Sequence, residues 1–247
     1  MEWTHKYLEI VRSLELNMAA DRQAARVLER LISDGSTRKL ARLIKGRPAI
    51  VYGCGPSLES DLNKIVNAGI DKKFISIAAD GAVSACLRYK ILPHVNVTDL
   101  DGNTDHIIYA NRHGTMTVVH AHSDNVGELV KYMPKLKGSV LGTTHSDPTK
   151  KVHNWGGFTD GDRAVHIAEH FGADFIVLAG MDFGSIIGVH SGRYDKVRKP
   201  RNLKVGRMII EDLAGHTNTK IFNMTHGGET IKNTIPITIE KLSHLVS

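Results

Sequence analysis

Short apolar runs alternate with polar turns through most of the chain. From Arg47 onward, each apolar run leads into Gly, Asp or His and then into a helical period. Continuous apolar runs of this kind are typical of strands buried on both faces, and strand–helix alternation is typical of parallel sheets. The pattern therefore predicts an α/β fold: a mostly parallel, doubly wound (Rossmann-like) sheet. The predicted strands cover residues 49–52, 74–79, 94–98, 116–120, 140–142, 175–179 and 220–222.

The first part of the chain has a different pattern. Residues 5–45 contain no proline, and Ala24, Val27, Leu28 and Leu31 form an apolar stripe with helical spacing. Ser36 is a candidate N-cap for a further short helix that ends near Ile44. We predict an N-terminal helical element over residues 1–46, without chemistry of its own, and an α/β catalytic domain over 47–247.

Composition narrows the class of protein. The 247 residues are 41% hydrophobic and 23% charged, as in ordinary globular proteins. Only Cys54 and Cys86 are present, which gives no zinc spacing or disulfide framework and favours a reducing cytoplasm. No apolar run reaches the roughly 18 residues of a membrane span, so we expect no membrane association. The net charge of +6 lacks an arginine-rich tail, which favours an anionic small molecule over nucleic acid.

Two carboxylates follow one of the predicted strands. Asp99 and Asp101 stand directly after an apolar run, and Gly102 permits a turn there. Ligands of open α/β sheets bind at the carboxyl ends of the strands, and Mg²⁺ prefers carboxylates together with phosphate oxygens. The pair is a candidate magnesium site. The alternative is that Asp99 caps a turn and Asp101 caps the next helix.

Polar residues also follow the other predicted strands. In a parallel sheet these strand ends share one edge, and a helix that starts at Asp160 is able to reach the same edge. Five polar strand ends are better explained by one shared site than by separate helix caps. The additional candidates are Asp80, His122, Ser123, Asn125, Asp160 and Asp182.

A glycine-rich turn follows the first strand. Gly53, Gly55, Pro56 and Ser57 lie between a strand and a helix, where free N–H groups and the helix dipole attract anions. The third glycine of the dinucleotide fingerprint and the Gly-Lys-Ser/Thr ending of a P-loop are both missing. The turn is a candidate phosphate or ribose site, with a plain strand-to-helix turn as the alternative.

Residues 193–207 are strongly basic. The segment contains a single acid, Asp195, and seven basic residues: Arg193, Lys196, Arg198, Lys199, Arg201, Lys204 and Arg207. We interpret the segment as a basic loop, running into a helix, that closes over a polyphosphate. A solvated charged face is the alternative.

Six motifs in order resemble one known family. The ordered set is similar to the archaeal 6-hydroxymethyl-7,8-dihydropterin pyrophosphokinases of the MptE type, which are related to thiamin pyrophosphokinases. The motifs occupy residues 53–58, 79–82, 98–102, 120–125, 157–164 and 179–184. Gly102 stands where the thiamin enzymes carry Ser in the motif that begins at Asp99.

The resemblance implies transfer of diphosphate from ATP to the hydroxymethyl group of a reduced pterin, with Mg²⁺ and release of AMP. Under this hypothesis Asp99, Asp101 and Asp160 bind the metal, and Asp80 orients the alcohol or binds the metal through water. The 53–57 turn holds phosphate or ribose, and Asp182 contacts the pterin. Ser123 and Asn125 line the cleft together with His122, which is also a candidate general base. The partners implied are ATP and the pterin, with a homodimer as one option for the assembly.

Two other functions remain open from the sequence. The glycine turn also resembles sialyltransferase-like and flagellin-modifying enzymes, in which an Asp-x-Asp pair holds a nucleotide sugar. A non-catalytic nucleotide sensor or nucleic-acid binder is the other alternative, although so many aspartates repel phosphates unless a metal intervenes.

The metal hypothesis predicts the outcome of one substitution. Asp101→Asn should abolish diphosphoryl transfer while leaving the fold intact, since it removes a ligand charge without changing side-chain size. Turnover and circular dichroism of the purified variant measure the two effects. Near-normal turnover would remove Asp101 from the metal site.

Overall fold

The chain folds around one parallel sheet. A computed structural model describes residues 3–14, 16–192 and 195–247. Within these residues nine strands are hydrogen-bonded in the order β6-β5-β4-β3-β2-β1-β7-β8-β9, and all neighbouring pairs are parallel. The strands are β1 (Ala49–Tyr52), β2 (Ile75–Ala79), β3 (Val95–Thr98), β4 (Met116–Ala121), β5 (Val140–Thr144), β6 (Val152–His153), β7 (Phe175–Ala179), β8 (Lys220–Asn223) and β9 (Ile235–Pro236).

Asparagine side chains cap the N-termini of two helices. Asn17 and Asn103 accept hydrogen bonds from Ala20 N and His106 N, at 3.1 and 3.2 Å. The helices are α1 (Trp3–Leu14), α2 (Met18–Leu31), α3 (Arg38–Ile44), α4 (Leu58–Asn67), α5 (Ala82–Arg88), α6 (Thr104–Arg112), α7 (Val126–Tyr132), α8 (Asp160–His170), α9 (Arg198–His216) and α10 (Ile239–Leu245).

The sheet is buried on both faces. Alternate residues of β1 belong to different apolar clusters: Ile50 and Tyr52 to one, Ala49 and Val51 to the other. The first cluster includes residues of α2, α4, α5, α6 and α10, and the second includes residues of α3, α8 and α9. This two-sided burial is the doubly wound arrangement that the apolar runs predicted, and the predicted fold class is confirmed.

The order of the strands reverses at β1. The chain proceeds from β1 outward through β2 to β6 and then returns to place β7 on the other side of β1. The crevice at such a switch point is the usual ligand site of an open α/β sheet. The switch point lies here between β1 and β7.

Most predicted elements are confirmed, with small differences. The sequence missed β6 and β9 because each has only two residues, too few for a recognisable period. The third helix begins at Arg38 rather than after Ser36, and most of the basic residues predicted to form a loop lie on α9. Arg193 lies outside the described residues. The division of the chain at residue 46 stays a prediction.

Helix α2 joins the same core as the sheet. Leu28 is fully buried and belongs to the apolar cluster that includes Ile50 and Tyr52. None of the described helices combines the length and the apolar character needed to span a membrane.

Leu28→Ala should lower the free energy of unfolding by about 2–5 kcal/mol, because it leaves a cavity under α2. Urea denaturation followed by circular dichroism measures the change. Arg26→Ala, on the exposed side of the same helix, serves as the control and should change stability by less than about 0.5 kcal/mol. Equal effects from the two variants would mean that α2 is not docked on the sheet.

Candidate active site

Three carboxylates from separate elements meet at the carboxyl edge of the sheet. Asp80 follows β2, Asp99 follows β3, and Asp160 is the first residue of α8. One oxygen from each lies within 4.8 Å of the others, which is close enough to share a metal ion. Of the aspartates predicted at this edge, Asp80, Asp99 and Asp160 therefore come together, although Asp160 follows Asp99 by 61 positions in the chain.

The backbone at this edge is locally strained. Asp80 and Leu100 adopt positive φ angles of 40° and 70°, a region that non-glycine residues rarely occupy. Thr98 holds both turns, because its Oγ1 donates to Asp80 Oδ1 at 2.8 Å and accepts from Leu100 N at 2.9 Å. Strain of this kind is found at functional sites, where the surrounding structure enforces it.

The cluster is electrostatically unfavourable without a cation. Desolvation in the cleft, reinforced by the charge of Asp99, raises the pKa of Asp80 to about 6. The same two causes raise the pKa of Asp160 well above its ordinary value. Desolvation also acts to raise the pKa of Asp99, but hydrogen bonds from His122 and Asp101 outweigh it, and the net shift is downward. Three hard oxygen donors that repel one another fit a magnesium-like ion.

Asp101 lies beside this group rather than within it. Its backbone N–H donates to Asp99 Oδ1 at 3.2 Å. Desolvation and the charges of Asp99 and Asp80 raise the pKa of the Asp101 carboxyl to about 9, so the acid is protonated in the metal-free protein. The sequence grouped Asp99, Asp101 and Asp160, whereas among the described residues the structure groups Asp80 with Asp99 and Asp160. A metal role for Asp101 stays a prediction.

His122 is held by bonds to both of its ring nitrogens. Nδ1 accepts a hydrogen bond from Asp124 N at 3.3 Å, which places the ring proton on Nε2 in the neutral tautomer. Nε2 lies 3.4 Å from Asp99 Oδ2. Both ring nitrogens are therefore engaged within the protein, His122 orients Asp99, and its predicted role as general base stays a prediction.

Asn125 and Ser123 lie at the same edge of the sheet. The Asn125 amide donates to Asp99 O at 2.8 Å and to His120 O at 2.7 Å, and it accepts from His122 N at 3.0 Å. Asn125 therefore fastens the end of β4 to the turn that carries Asp99. Ser123 lines the cleft near these residues.

The glycine turn after β1 is packed against the turn after β7. Gly53 N donates to Ala179 O at 2.9 Å and Gly55 N donates to Gly180 O at 2.8 Å. A Cβ on Gly55 would lie 2.6 Å from Gly180 O, so glycine is required by this close approach. The sequence predicted free N–H groups in this turn, but those of Gly53 and Gly55 are bonded within the protein.

Asp182 closes the same junction. Its Oδ2 accepts hydrogen bonds from Ser57 N at 3.2 Å and from Ser57 Oγ at 2.9 Å. Pro56 and Cys54 line the cleft beside this junction. The ligand-binding roles predicted for Gly53, Gly55, Pro56, Ser57 and Asp182 stay predictions, and the amides of Gly53, Gly55 and Ser57 are bonded within the protein.

The carboxylates face a cleft of about 910 Å³, which is large enough for a nucleotide with a second small molecule. Arg198, Lys199 and Arg201 of α9 line it, as do Ile186 and Ile187 of the preceding loop. The loop rests closely on the site: a Cβ on Gly192 would lie 2.5 Å from Asp101 Oδ1. Positive charge from α9 is thus set opposite the acids.

The sequence did not indicate a role for two further residues that the structure places near the site. Arg163 is fully buried and donates to Gly156 O, Phe158 O and His120 Nε2, each at 3.3 Å, which fixes the approach to α8. Asp21 of α2 reaches the cleft from the N-terminal element. Arg163 lies within the 157–164 motif, but no role was predicted for it. Nothing in the sequence indicated a role for Asp21 in the site, because an acid in the first turn of a helix is common.

Comparison with known proteins decides the family. Residues 22–188 match the family model described as 6-hydroxymethylpterin diphosphokinase MptE-like. This chain belongs to the MptE-like family. The match spans every element that contributes an aspartate to the cluster.

Three relatives have the same name, 6-hydroxymethyl-7,8-dihydropterin pyrophosphokinase. The chain is 41% identical to the Methanothermobacter thermautotrophicus protein over 76% of this chain and 81% of that one. It is 38% identical to the Pyrococcus furiosus protein, over 91% and 98% of the two chains. The Methanocaldococcus jannaschii protein is 37% identical, over 77% and 82%.

A solved structure shares the fold. The MAf glycosyltransferase from Magnetospirillum magneticum AMB-1 matches 88% of this chain and 39% of its own, with a TM-score of 0.53 and 14% identity. At this identity the likeness is one of architecture alone, so it adds nothing to the glycosyltransferase alternative.

Asp160→Asn should stabilise the metal-free protein at pH 7.5, because it removes one of three repelling charges. We expect the melting temperature to rise by about 2–4 °C for each kcal/mol of repulsion removed. The gain should shrink as the pH falls through about 6, since Asp80, whose pKa is raised to about 6, then protonates in the wild type and relieves part of the repulsion itself.

Calorimetry with and without Mn²⁺ measures this effect. Mn²⁺ should raise the melting temperature of the wild type and have little effect on Asp160→Asn. Asp174→Asn, at an exposed position outside the cleft, should behave like the wild type. A destabilised Asp160→Asn that still responds fully to Mn²⁺ would contradict the cluster as a cation site.

Proposed function

We propose that this protein transfers diphosphate from ATP to the hydroxymethyl group of 6-hydroxymethyl-7,8-dihydropterin and releases AMP. The carboxylate cluster of Asp80, Asp99 and Asp160 beside a basic helix carries the proposal, because diphosphoryl transfer needs a divalent cation and added positive charge at one place. The shared name of three relatives with 37–41% identity supports the choice of substrates.

The reaction is a displacement at the β-phosphorus of ATP. The pterin hydroxyl oxygen forms a bond to this phosphorus and its proton is released to solvent, while the bond from phosphorus to the α,β-bridging oxygen breaks and AMP leaves with that oxygen. Mg²⁺ bound by Asp80, Asp99 and Asp160 would supply Lewis-acid stabilisation of the phosphate charge. His122 and Thr98 hold two of the ligands, because they contact Asp99 and Asp80 respectively.

Lys199 supplies positive charge at the acid cluster. It is the α9 residue whose charge lowers the pKa of both Asp80 and Asp101, so its ammonium group lies near the reacting centre. Charge that develops on the leaving AMP and on the transferred group is stabilised by such a preorganised cation. Arg198 and Arg201 line the same cleft and extend this positive surface.

Asp182 is our candidate for contact with the pterin. Its Oδ2 is bonded to Ser57, and its Oδ1 accepts no hydrogen bond from the described residues. A carboxylate oxygen at this position matches the N–H donors of the 2-amino-pyrimidinone edge. Asp182 would thereby couple the pterin to the junction between the β1 and β7 turns.

The proposed reaction is tested with purified protein, Mg²⁺, ATP and the reduced pterin. We expect AMP and pterin diphosphate in equal amounts, and no AMP when the pterin is omitted. Hydrolysis of a nucleotide sugar without AMP release would instead favour a glycosyltransferase. Tight ATP binding without Mg²⁺ and without product would favour a sensor.

Lys199→Gln should lower kcat on the order of 100-fold, because it removes charge stabilisation from the transition state. Its effect on the melting temperature should be small, since Lys199 is half-buried and takes part in no ion pair among the described residues. Lys196→Gln, an exposed residue that does not line the cleft, is the matched control and should retain activity. A similar loss in both variants would point to overall charge rather than to Lys199.

A further inference from the structure

A carboxylate of the N-terminal element lies buried in the wall of the cleft. Asp21 on α2 is 2% exposed and accepts hydrogen bonds from three different parts of the chain. Oδ1 accepts from Ser123 N at 2.8 Å, while Oδ2 accepts from Tyr7 Oη at 2.9 Å and lies 3.0 Å from His145 Nε2. Asp21 thus joins α1, α2 and the turns after β4 and β5.

This environment is built to hold a negative charge. Desolvation acts to raise the pKa of Asp21, but the hydrogen bonds from His145, Ser123 and Tyr7 outweigh it and hold the pKa below its ordinary value. A buried, ionised carboxylate with three donors is costly to build and has defined geometry. The proposed reaction does not use its charge directly, because Asp21 is not part of the cation cluster.

One arm of this network leads to Asp99. Ser123, which donates to Asp21, follows His122 in the turn after β4. His122 Nε2 lies 3.4 Å from Asp99 Oδ2, and Asn125 of the same turn donates to Asp99 O at 2.8 Å. The position of Asp99 therefore depends on a turn that Asp21 fastens to α2.

The other arm leads to the start of α8. The ring of His145 stacks on Tyr7, with centroids 4.9 Å apart, and on Phe158, with centroids 5.6 Å apart. Phe158 N donates to Asp162 Oδ2 at 2.5 Å, within the capping arrangement that begins α8. Asp160 is the first residue of that helix, so this arm ends at a second carboxylate of the cluster.

We propose that Asp21 is a positioning residue that sets the separation of Asp99 and Asp160 from the N-terminal element. The inference rests on the proposed function only in taking these two residues as cation ligands. It assigns α1 and α2 a part in the site, which the sequence had treated as a cap without chemistry. Residues that orient metal ligands through hydrogen bonds commonly change metal affinity by about 10–100-fold when replaced.

The test measures Mn²⁺ binding by electron paramagnetic resonance and, separately, the kinetics of the full-length protein. Asp21→Asn keeps the side-chain size but places an amide group toward His145. We expect Mn²⁺ affinity to fall about tenfold or more and the Mg²⁺ concentration for half-maximal rate to rise with it. KM for ATP measured at saturating Mg²⁺ should stay within about twofold of the wild-type value, since Asp21 is not proposed to contact ATP.

Two further variants keep the test decisive. Tyr7→Phe removes one of the three hydrogen bonds and should weaken Mn²⁺ binding by a smaller factor, about threefold, even if Asp21→Asn fails to fold. Glu29→Gln, on the exposed part of α2 where it accepts from Lys150 N, should bind Mn²⁺ like the wild type. Circular dichroism establishes that each variant is folded at the assay temperature.

The outcomes separate this inference from the proposed function. Wild-type Mn²⁺ affinity and Mg²⁺ dependence in folded Asp21→Asn and Tyr7→Phe would overturn the positioning role. If the wild type binds Mn²⁺ but forms no AMP with the pterin, the proposed function fails. A weakened Mn²⁺ site in Asp21→Asn would then still support the inference.

Discussion

The structure depends on holding mutually repelling carboxylates together at one edge of a parallel sheet. Asp80, Asp99 and Asp160 would separate if their backbones were free, because desolvation and the charge of Asp99 both oppose ionisation of Asp80 and Asp160. Thr98, His122 and Asn125 provide the opposing constraint through hydrogen bonds. A site that remains unfavourable until a cation arrives is the electrostatic condition for strong divalent binding, and it explains why so many neutral polar groups surround the cluster.

The apolar pattern was sufficient to predict the sheet, since buried parallel strands read as continuous apolar runs. It also placed the aspartates correctly, because the carboxyl ends of parallel strands share an edge whatever the order of the strands. The order itself was not predictable, and neither was the choice of Asp80 over Asp101 in the cluster. Asp80 and Leu100 adopt positive φ angles in the two turns that carry these carboxylates, and neither residue type predicts such a conformation.

Predictions of which polar groups are free to bind a ligand were less successful than predictions of where residues lie in the fold. The glycine turn after β1 had the sequence of an anion site, but the amides of Gly53 and Gly55 donate to the turn after β7. Asp124 N likewise donates to Nδ1 of His122, whose role as general base stays a prediction. Hydrogen-bond partners distant in sequence decide whether a group is available, and single-sequence reasoning has no access to them. Asp21 shows the converse: an ordinary helix residue acquires a role only through Tyr7, Ser123 and His145.

The chain order of the cluster has a consequence for folding. Asp80 and Asp99 follow adjacent strands, but Asp160 arrives only after β6, on the helix that leads to β7 beside β1. Closing that long loop is an entropically expensive step, and parallel pairings of high contact order form slowly. We therefore expect the cluster to be assembled late as the chain folds. A divalent ion, which has no comparable site in the unfolded chain, would favour the completed sheet over any intermediate that lacks β7.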